Sequence, residues 1–361
     1  MLYLGIDQHD KHLTISLRNQ RGDVLLRRQV STRWVKVREF FAQLQRLCIE
    51  HDAAGFAAIV EVCGFNDWLI KMLHEYGCLR VVLVQPEKRS KRKTDRRDAH
   101  QLSELLWLNR EQVAAGERIR GVREVRFATP DEQHDRQLTS LRRRLTAERT
   151  QIINRLKHLL RKHNLGQECP TKTFQTKACR GWLATLQLPS IDRLEMNQLL
   201  AQWDLLEKHL GQVNAEVQRR VANNRVAQVI GTLTGRAGFS ALALAARIGP
   251  IENFPRPRSL ANYWGLTPNC QNSGEVTDRL GSITKAGSPL ARWVLGQLVL
   301  HVLRRDGWMR NWYKAIKRRR GAKIARVAVM RRLATIIWHM VKYNEPYIPG
   351  GPPRLKMRDA A

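Results

Sequence analysis

Two aspartates, Asp95 and Asp98, stand three residues apart in the segment KRSKRKTDRRDAH (88–100), crowded by Lys88, Arg89, Lys91, Arg92, Lys93, Arg96 and Arg97. At that spacing on a helix they share one face and converge on one spot. Two further acids close apolar runs: Asp7 ends LYLGID (2–7) and Glu61 stands near the end of FAAIVEV (56–62). Four carboxylates brought close together repel, and some stay protonated unless a cation holds them. Hard oxygen ligands of this kind suit Mg²⁺ or Mn²⁺. Two such ions stabilise the attacking and leaving oxygens of a phosphodiester. Each acid also has an ordinary use. Asp7 can cap a turn, Glu61 can pair with an arginine, and Asp95 or Asp98 can cap the helix that starts near Arg96.

The elements around these acids are legible as a mixed sheet. LYLGID, HLTISLR (12–18) and DVLLRRQV (23–30) predict three meandering strands, with the turn-forming NQRGD between the second and third. Helical spacing of apolar residues over 35–51 predicts a helix, and 56–62 a buried strand. A helix over 66–77 follows, with Asn66 as its expected N-cap and Gly77 as its stop, and then a strand over 79–86 and a helix over 96–110. Three strands followed by alternating helix and strand is the order found in ribonuclease H-like domains. The expected division is an acidic α/β domain over 1–110, a linker (111–130) and helical arm ending at 223, a mainly α domain over 224–345, and a tail over 346–361. The arm rests on leucine-rich, basic-backed periodicity over 131–163 and 190–222. Its heptads are too irregular for a strict coiled coil.

Composition narrows the partners. Lys plus Arg number 63 against 32 Asp plus Glu, a formal net charge of +31. Self-repulsion on that scale calls for a polyanion, with nucleic acid the default. A membrane surface is disfavoured, since no stretch approaches 18 apolar residues and MLYLGIDQHD carries no basic leader pattern. The expected setting is the bacterial cytoplasm, associated with the nucleoid. The six cysteines form no C-x-x-C pair and are expected to be reduced, mostly buried thiols. Cys169 and Cys179, with His158 and His163 upstream, fit the spacing of no compact zinc module.

GIDQHDK, VEVCGFNDWL and KTDRRDAHQLSELL together resemble the three acidic blocks of the DEDD transposases of insertion sequences. That group includes the Piv-type DNA invertases and the bridge-RNA-guided recombinases. The resemblance covers nearly the whole chain. It implies a Holliday-junction-resolvase-like, ribonuclease H-like amino-terminal domain, with Asp7, Glu61, Asp95 and Asp98 as catalytic metal ligands for Mg²⁺ or Mn²⁺. It also implies a carboxy-terminal transposase domain and DNA as donor and target. A structured non-coding guide RNA and a homodimer or homotetramer complete the expected assembly.

The carboxy-terminal half carries the second resemblance, in LTGRAGF and NCQNSGEVTDRLGSITKAG (233–239 and 269–287). The S-G motif falls on Ser273 and Gly274, and on the family pattern that serine is the nucleophile, holding a DNA end as a phosphoserine. Arg279 and Lys285 follow within reach of a bound phosphate, and Ser282 and Ser288 are nearby alternatives. LTGRAGF departs from the family's proline and glycine pair, so Gly235 and Gly238 suit a phosphate hairpin and an ordinary helix start equally well. Lys317, Arg318, Arg319 and Arg320, in a basic stretch between two amphipathic helices, are expected to contact phosphate. Trp293, Trp308, Trp312 and Trp338 recur at helical spacing and are expected in the core. Two other functions remain open: a metal-dependent junction resolvase or nuclease in which Ser273 is structural, and a nucleic-acid-binding scaffold with degenerate acids.

Overall fold

The computed structural model describes residues 1–85, 95–235, 238–270 and 280–349. The chain divides into two compact units, Met1–Phe127 and Ala128–Ala361. The first contains β1 (Leu2–Gln8), β2 (His12–Arg18), β3 (Val24–Ser31), α1 (Trp34–Glu50), β4 (Phe56–Glu61), α2 (Asp67–Glu75), β5 (Cys78–Val84), α3 (Asp95–Leu108) and α4 (Arg110–Ala114). Its sheet has the order β3-β2-β1-β4-β5. β1 pairs antiparallel with β2 and parallel with β4, and β5 continues the parallel half. Residue alternation assigns the two faces. Leu4, Ile6, Ala58 and Val60 pack with Phe40, Phe41 and Leu44 of α1 and Leu69 and Leu73 of α2. Tyr3, Ala57, Ile59 and Val82 pack instead with Leu102 and Leu106 of α3. A sheet covered on both faces explains why β1 and β4 read as nearly unbroken apolar runs.

Residues 111–130, expected to lack structure, contain part of α4 and a short extended segment. Val125 N–H donates to the Leu83 carbonyl (2.7 Å), and Gln85 N–H to the Arg123 carbonyl (3.0 Å). β5 is the sheet edge, and its unpaired backbone groups take up this segment. So short a pairing leaves no alternation to read.

Among the described residues the second unit is helical apart from one short antiparallel pair of strands. It contains α5 (Pro130–Lys162), α6 (Lys177–Thr185), α7 (Ser190–Ala222), α8 (Arg225–Gly231), α9 (Phe239–Ile248), α10 (Pro257–Tyr263), β6 (Pro268–Cys270), β7 (Leu280–Ile283), α11 (Pro289–Arg305) and α12 (Gly307–Tyr343). Thr129 and Glu132 form a reciprocal capping box at the start of α5, with Pro130 in the first turn. At the far end of the paired α5 and α7, Ile152, Leu156 and Leu160 enclose a small core with Cys179 and Leu183 of α6 and with Met196 and Trp203. A larger core surrounds α9, every residue of which from Ala241 to Ile248 is buried. The buried Arg247 guanidinium ties α9 to α5, donating to Thr139 Oγ1 (3.0 Å) and Ser140 Oγ (3.1 Å). Burial, with Arg136 beside it, lowers its pKa to about 10, so it stays charged at neutral pH.

The basic stretch expected between two helices is itself helical. α12 is interrupted within it at Gly321, whose φ of 82° and ψ of 165° are non-helical and open to glycine at little cost, so one helix ends at Arg320 and a second starts beyond Gly321. Among the described residues no helix is long and apolar enough to cross a membrane.

Candidate active site

The parallel pairing of β1 with β4 runs to Ile6 opposite Val60, so Asp7 and Glu61 are each the next residue at neighbouring strand ends. By alternation both lie on the face that Tyr3, Ala57 and Ile59 share with α3. The carboxyl end of parallel strands is where open α/β sheets place their ligands. Asp7 is largely enclosed, its side chain 14% exposed, and His9 Nε2 lies 3.1 Å from its Oδ2. Glu61 is half-buried.

Gly5 sets how closely α3 approaches these strand ends. A methyl group at Gly5 would sit 2.3 Å from the Ala99 carbonyl oxygen and 2.4 Å from the Ser103 amide nitrogen, so only a residue without a side chain fits there. A buried polar cluster holds the same helix. Arg18 Nε donates to Ser103 Oγ (3.2 Å), its Nη2 lies 3.0 Å from His100 Nε2, and Ser103 Oγ lies 2.9 Å from Ser16 Oγ. Burial first, then the charge of Arg18, holds His100 below the usual imidazole range, which suits a neutral ring beside a guanidinium. Further along, Trp107 Nε1 donates to the Gln20 carbonyl (3.1 Å), beyond the far end of β2. The helix therefore descends from the edge that holds Asp7 and Glu61. Its first turn, carrying Asp95 and the half-buried Asp98, starts at that edge.

The backbone thus brings the four predicted acids to one sheet edge, with the positive end of a helix dipole favouring carboxylates there. The side chains of Asp95, Arg96 and Arg97 lie outside the described set, as do Lys88, Arg89, Lys91, Arg92 and Lys93. Among the described residues no group of three His, Cys, Asp or Glu side chains stands close enough to hold a metal ion. The donor types, carboxylates of Asp7, Glu61 and Asp98 with Asp95 three residues before Asp98, are the oxygen ligands that suit Mg²⁺ or Mn²⁺.

Sequence reasoning missed three residues at this edge: His9, Gln8 and Asn66. Asn66 stands at the N-cap position of α2, but its side chain makes no cap there. It donates instead to the Glu61 carbonyl (3.0 Å) and to Gln8 Oε1 (2.9 Å), and accepts from the Cys63 amide (2.9 Å). His9 lies just past the end of β1, where strand alternation no longer assigns a face.

In the second unit, Ser273 and Arg279 lie outside the described residues. Lys285 is exposed in a left-handed conformation (φ 55°), where its amide donates to the Gly265 carbonyl (3.1 Å). Ser282 is exposed on β7, whereas Ser288 caps α11 by accepting from the Ala291 amide (3.3 Å). Gly238 is the N-cap residue of α9, and Gly235 adopts φ 90° beside the Arg305 guanidinium. Arg236 and Ala237 between them lie outside the described residues. Lys317, Arg318, Arg319 and Arg320 are all exposed and, among the described residues, make no ion pair.

The tryptophans only partly follow expectation. Trp338 is buried and donates to the Phe254 carbonyl (2.7 Å), but Trp293 and Trp308 reach the surface under the guanidinium groups of Arg143 and Arg332. A charged partner that spreads over the ring allows an indole to stay at the surface. Of the cysteines, Cys48, Cys78 and Cys179 are buried and free, Cys63 and Cys169 half-buried and free. His163 is engaged by Asp192 (2.7 Å) and His158 is exposed, and among the described residues neither joins Cys169 and Cys179 in a group that could hold a metal ion.

Two transposase family models match the chain. A family model for transposases, the DEDD type of IS110 elements, matches residues 4–165. A second, described as the transposase IS116/IS110/IS902 family, matches residues 227–314. The chain is 28% identical over 299 residues to the transposase for insertion sequence element IS1111A of Coxiella burnetii, covering 80% of this chain and 78% of that one. It is 25% identical over 353 residues to a probable family 20 transposase of Pseudomonas aeruginosa, covering 96% and 95% of the two chains. The transposase for insertion sequence element IS1328 of Yersinia enterocolitica is 22% identical over 340 residues, covering 93% and 95%.

Proposed function

We propose that this chain belongs to the IS110/IS116 family of transposases as an enzyme of DNA transposition, and that it cuts and rejoins DNA through a serine-linked intermediate assisted by its acidic edge. The observation that supports this most is the meeting of Asp7, Glu61 and the first turn of α3 at one end of a ribonuclease H-like sheet order. Asp7, Glu61, Asp95 and Asp98 would hold Mg²⁺ or Mn²⁺, which supplies positive charge to the phosphate oxygens when bound. His9 orients the Asp7 carboxylate from 3.1 Å.

Ser273 is the nucleophile in this proposal. Its Oγ–phosphorus bond forms as the phosphorus–oxygen bond to the leaving strand breaks. The serine proton is lost to solvent or a base, and the leaving oxygen takes one up. Arg279 and Lys285 stabilise the charge on the phosphate. The reverse step, with a different strand's hydroxyl attacking, releases the serine and joins DNA. The +31 charge supports a second polyanion besides DNA, and the proposed one is a structured guide RNA within a homodimer or homotetramer.

Trapping tests the chemistry. Denaturation during the reaction should yield a covalent protein–DNA species whose phosphate maps to Ser273, and Ser273→Ala should abolish both it and recombination. Recombination surviving in Ser273→Ala would contradict the serine mechanism. Metal-dependent cleavage without any covalent species would instead favour a resolvase-like nuclease. Sequencing RNA that co-purifies with the protein should return one structured species; its absence from active protein would remove the guide.

A further inference from the structure

The sheet edge that carries the acids also carries exposed aromatic surface. Trp34, the first residue of α1, is 53% exposed, and Phe65, in the loop from β4 to α2, is 45% exposed. Trp34 meets the half-buried Trp68 edge-on, ring centroids 5.5 Å apart at 78°. Val35 and Val62, close in sequence to Trp34 and Phe65, are exposed as well. Scattered exposed apolar residues are ordinary, but a group of them beside a candidate site marks something that binds.

This patch is fastened to the acids. Gln8, which follows Asp7, donates Nε2 to the Phe65 carbonyl (3.0 Å). Asn66, which follows Phe65, is 6% exposed and bonds both Gln8 Oε1 and the Glu61 carbonyl. The loop bearing Phe65 is therefore held from both sides by the residues that position Asp7 and Glu61. Around it, Arg33 and Lys11 are exposed cations. A protein interface concentrates apolar residues in a centre depleted of charge. Here Trp34 follows the exposed Arg33, and the loop of Phe65 is bonded to the neighbour of Asp7, which suits a ligand that is flat and apolar on its faces and anionic along its backbone.

We infer that Trp34 and Phe65 form a stacking platform for unpaired nucleobases next to the phosphate addressed by Asp7 and Glu61. A paired base has both faces covered within the duplex and offers none to a ring, whereas every unpaired base offers a π-face. The preferred DNA at this edge thus has its strands separated near the cut. The inference rests on the reading of the acidic edge as the cleavage site.

The test uses the full chain carrying Asp7→Asn, so that binding is read without cleavage. Two DNAs of one sequence are compared, a continuous duplex and a duplex with an unpaired bubble containing 2-aminopurine. Binding should quench the 2-aminopurine in the bubble. Adding Trp34→Ala and Phe65→Ala should abolish that quenching and weaken bubble binding by about tenfold or more, with duplex binding changed less than about twofold. Trp34→Phe with Phe65 intact should restore most of the bubble affinity, which separates stacking from a folding defect. Equal losses on both DNAs, or none on the bubble, would overturn the platform. So would sedimentation showing that the double variant loses self-association while bubble affinity holds, because a second copy of this chain would then occupy the patch. Cleavage lost on Asp7→Asn with no stacking defect in the aromatic variants rejects the platform alone. Stacking that persists in a protein whose cleavage ignores Asp7 rejects the acidic reading alone.

Discussion

Gly5 and Asn66 do more for the acidic edge than their chemistry suggests. The 2.3 Å separation between a methyl at Gly5 and the Ala99 carbonyl is a backbone clash that no rotamer relieves. Gly5→Ala should therefore lift α3 and destabilise the first unit by about 1–3 kcal/mol, read as a lower urea midpoint, and DNA cleavage should fall with it. Asn66→Ala leaves Gln8 Oε1, the Glu61 carbonyl and the Cys63 amide without their shared partner. The expected loss is about 1–3 kcal/mol on the same denaturation curve, and an unchanged midpoint would contradict the role given to Asn66. Asp7 and Glu61 were legible because an apolar run that stops on an acid announces a strand end. Asn66 was not, because an asparagine before an amphipathic run reads as a helix cap. Its real partners are Gln8, far away in sequence, and the backbone of residues 61 and 63.

The long elements carried their signal in local periodicity. α5 and α7 span nearly the residues that leucine spacing predicts, and the Thr129–Glu132 box fixes the start of α5. What local pattern did not reveal is what depends on a neighbour: the 123–125 segment exists because β5 is an edge, and α6 because the ends of α5 and α7 leave Trp203 and Leu156 to cover. The tie between those helices is testable by pH. Lys162 Nζ and His163 Nε2 each lie 2.7 Å from the Asp192 carboxylate and hold it below the usual carboxylate range, with their hydrogen bonds the main cause. A depressed folded pKa stabilises above the unfolded value near 4 and loses that contribution as pH falls through the folded value. The melting temperature of the wild type should thus drop more steeply below about pH 4 than that of Asp192→Asn. The variant should melt lower at pH 7. Parallel curves would show that Asp192 contributes nothing.

At the scale of the molecule the governing quantity is charge. A formal +31 over 361 residues makes association with DNA a matter of counterion release. Lys317, Arg318, Arg319 and Arg320 on α12 are four consecutive exposed cations that would contribute. Replacing all four with serine should lower the slope of log affinity against log salt by about 0.9 for each phosphate no longer neutralised, so by up to about 4. An unchanged slope would make the stretch a solvated face. Sequence showed the charge but not its placement, because the last turn of a helix ending before Gly321 and a loop carry the same residues.

The central claim, that one sheet edge gathers the acids that cut DNA, is tested most directly by the single-turnover cleavage rate of insertion-sequence end DNA with Mg²⁺, comparing the wild type with Asp7→Asn and Glu61→Gln. Each variant should bind the DNA within about threefold of the wild type and cleave it at least about 10²-fold more slowly. Cleavage at the wild-type rate by either variant, with its binding intact, would contradict the account.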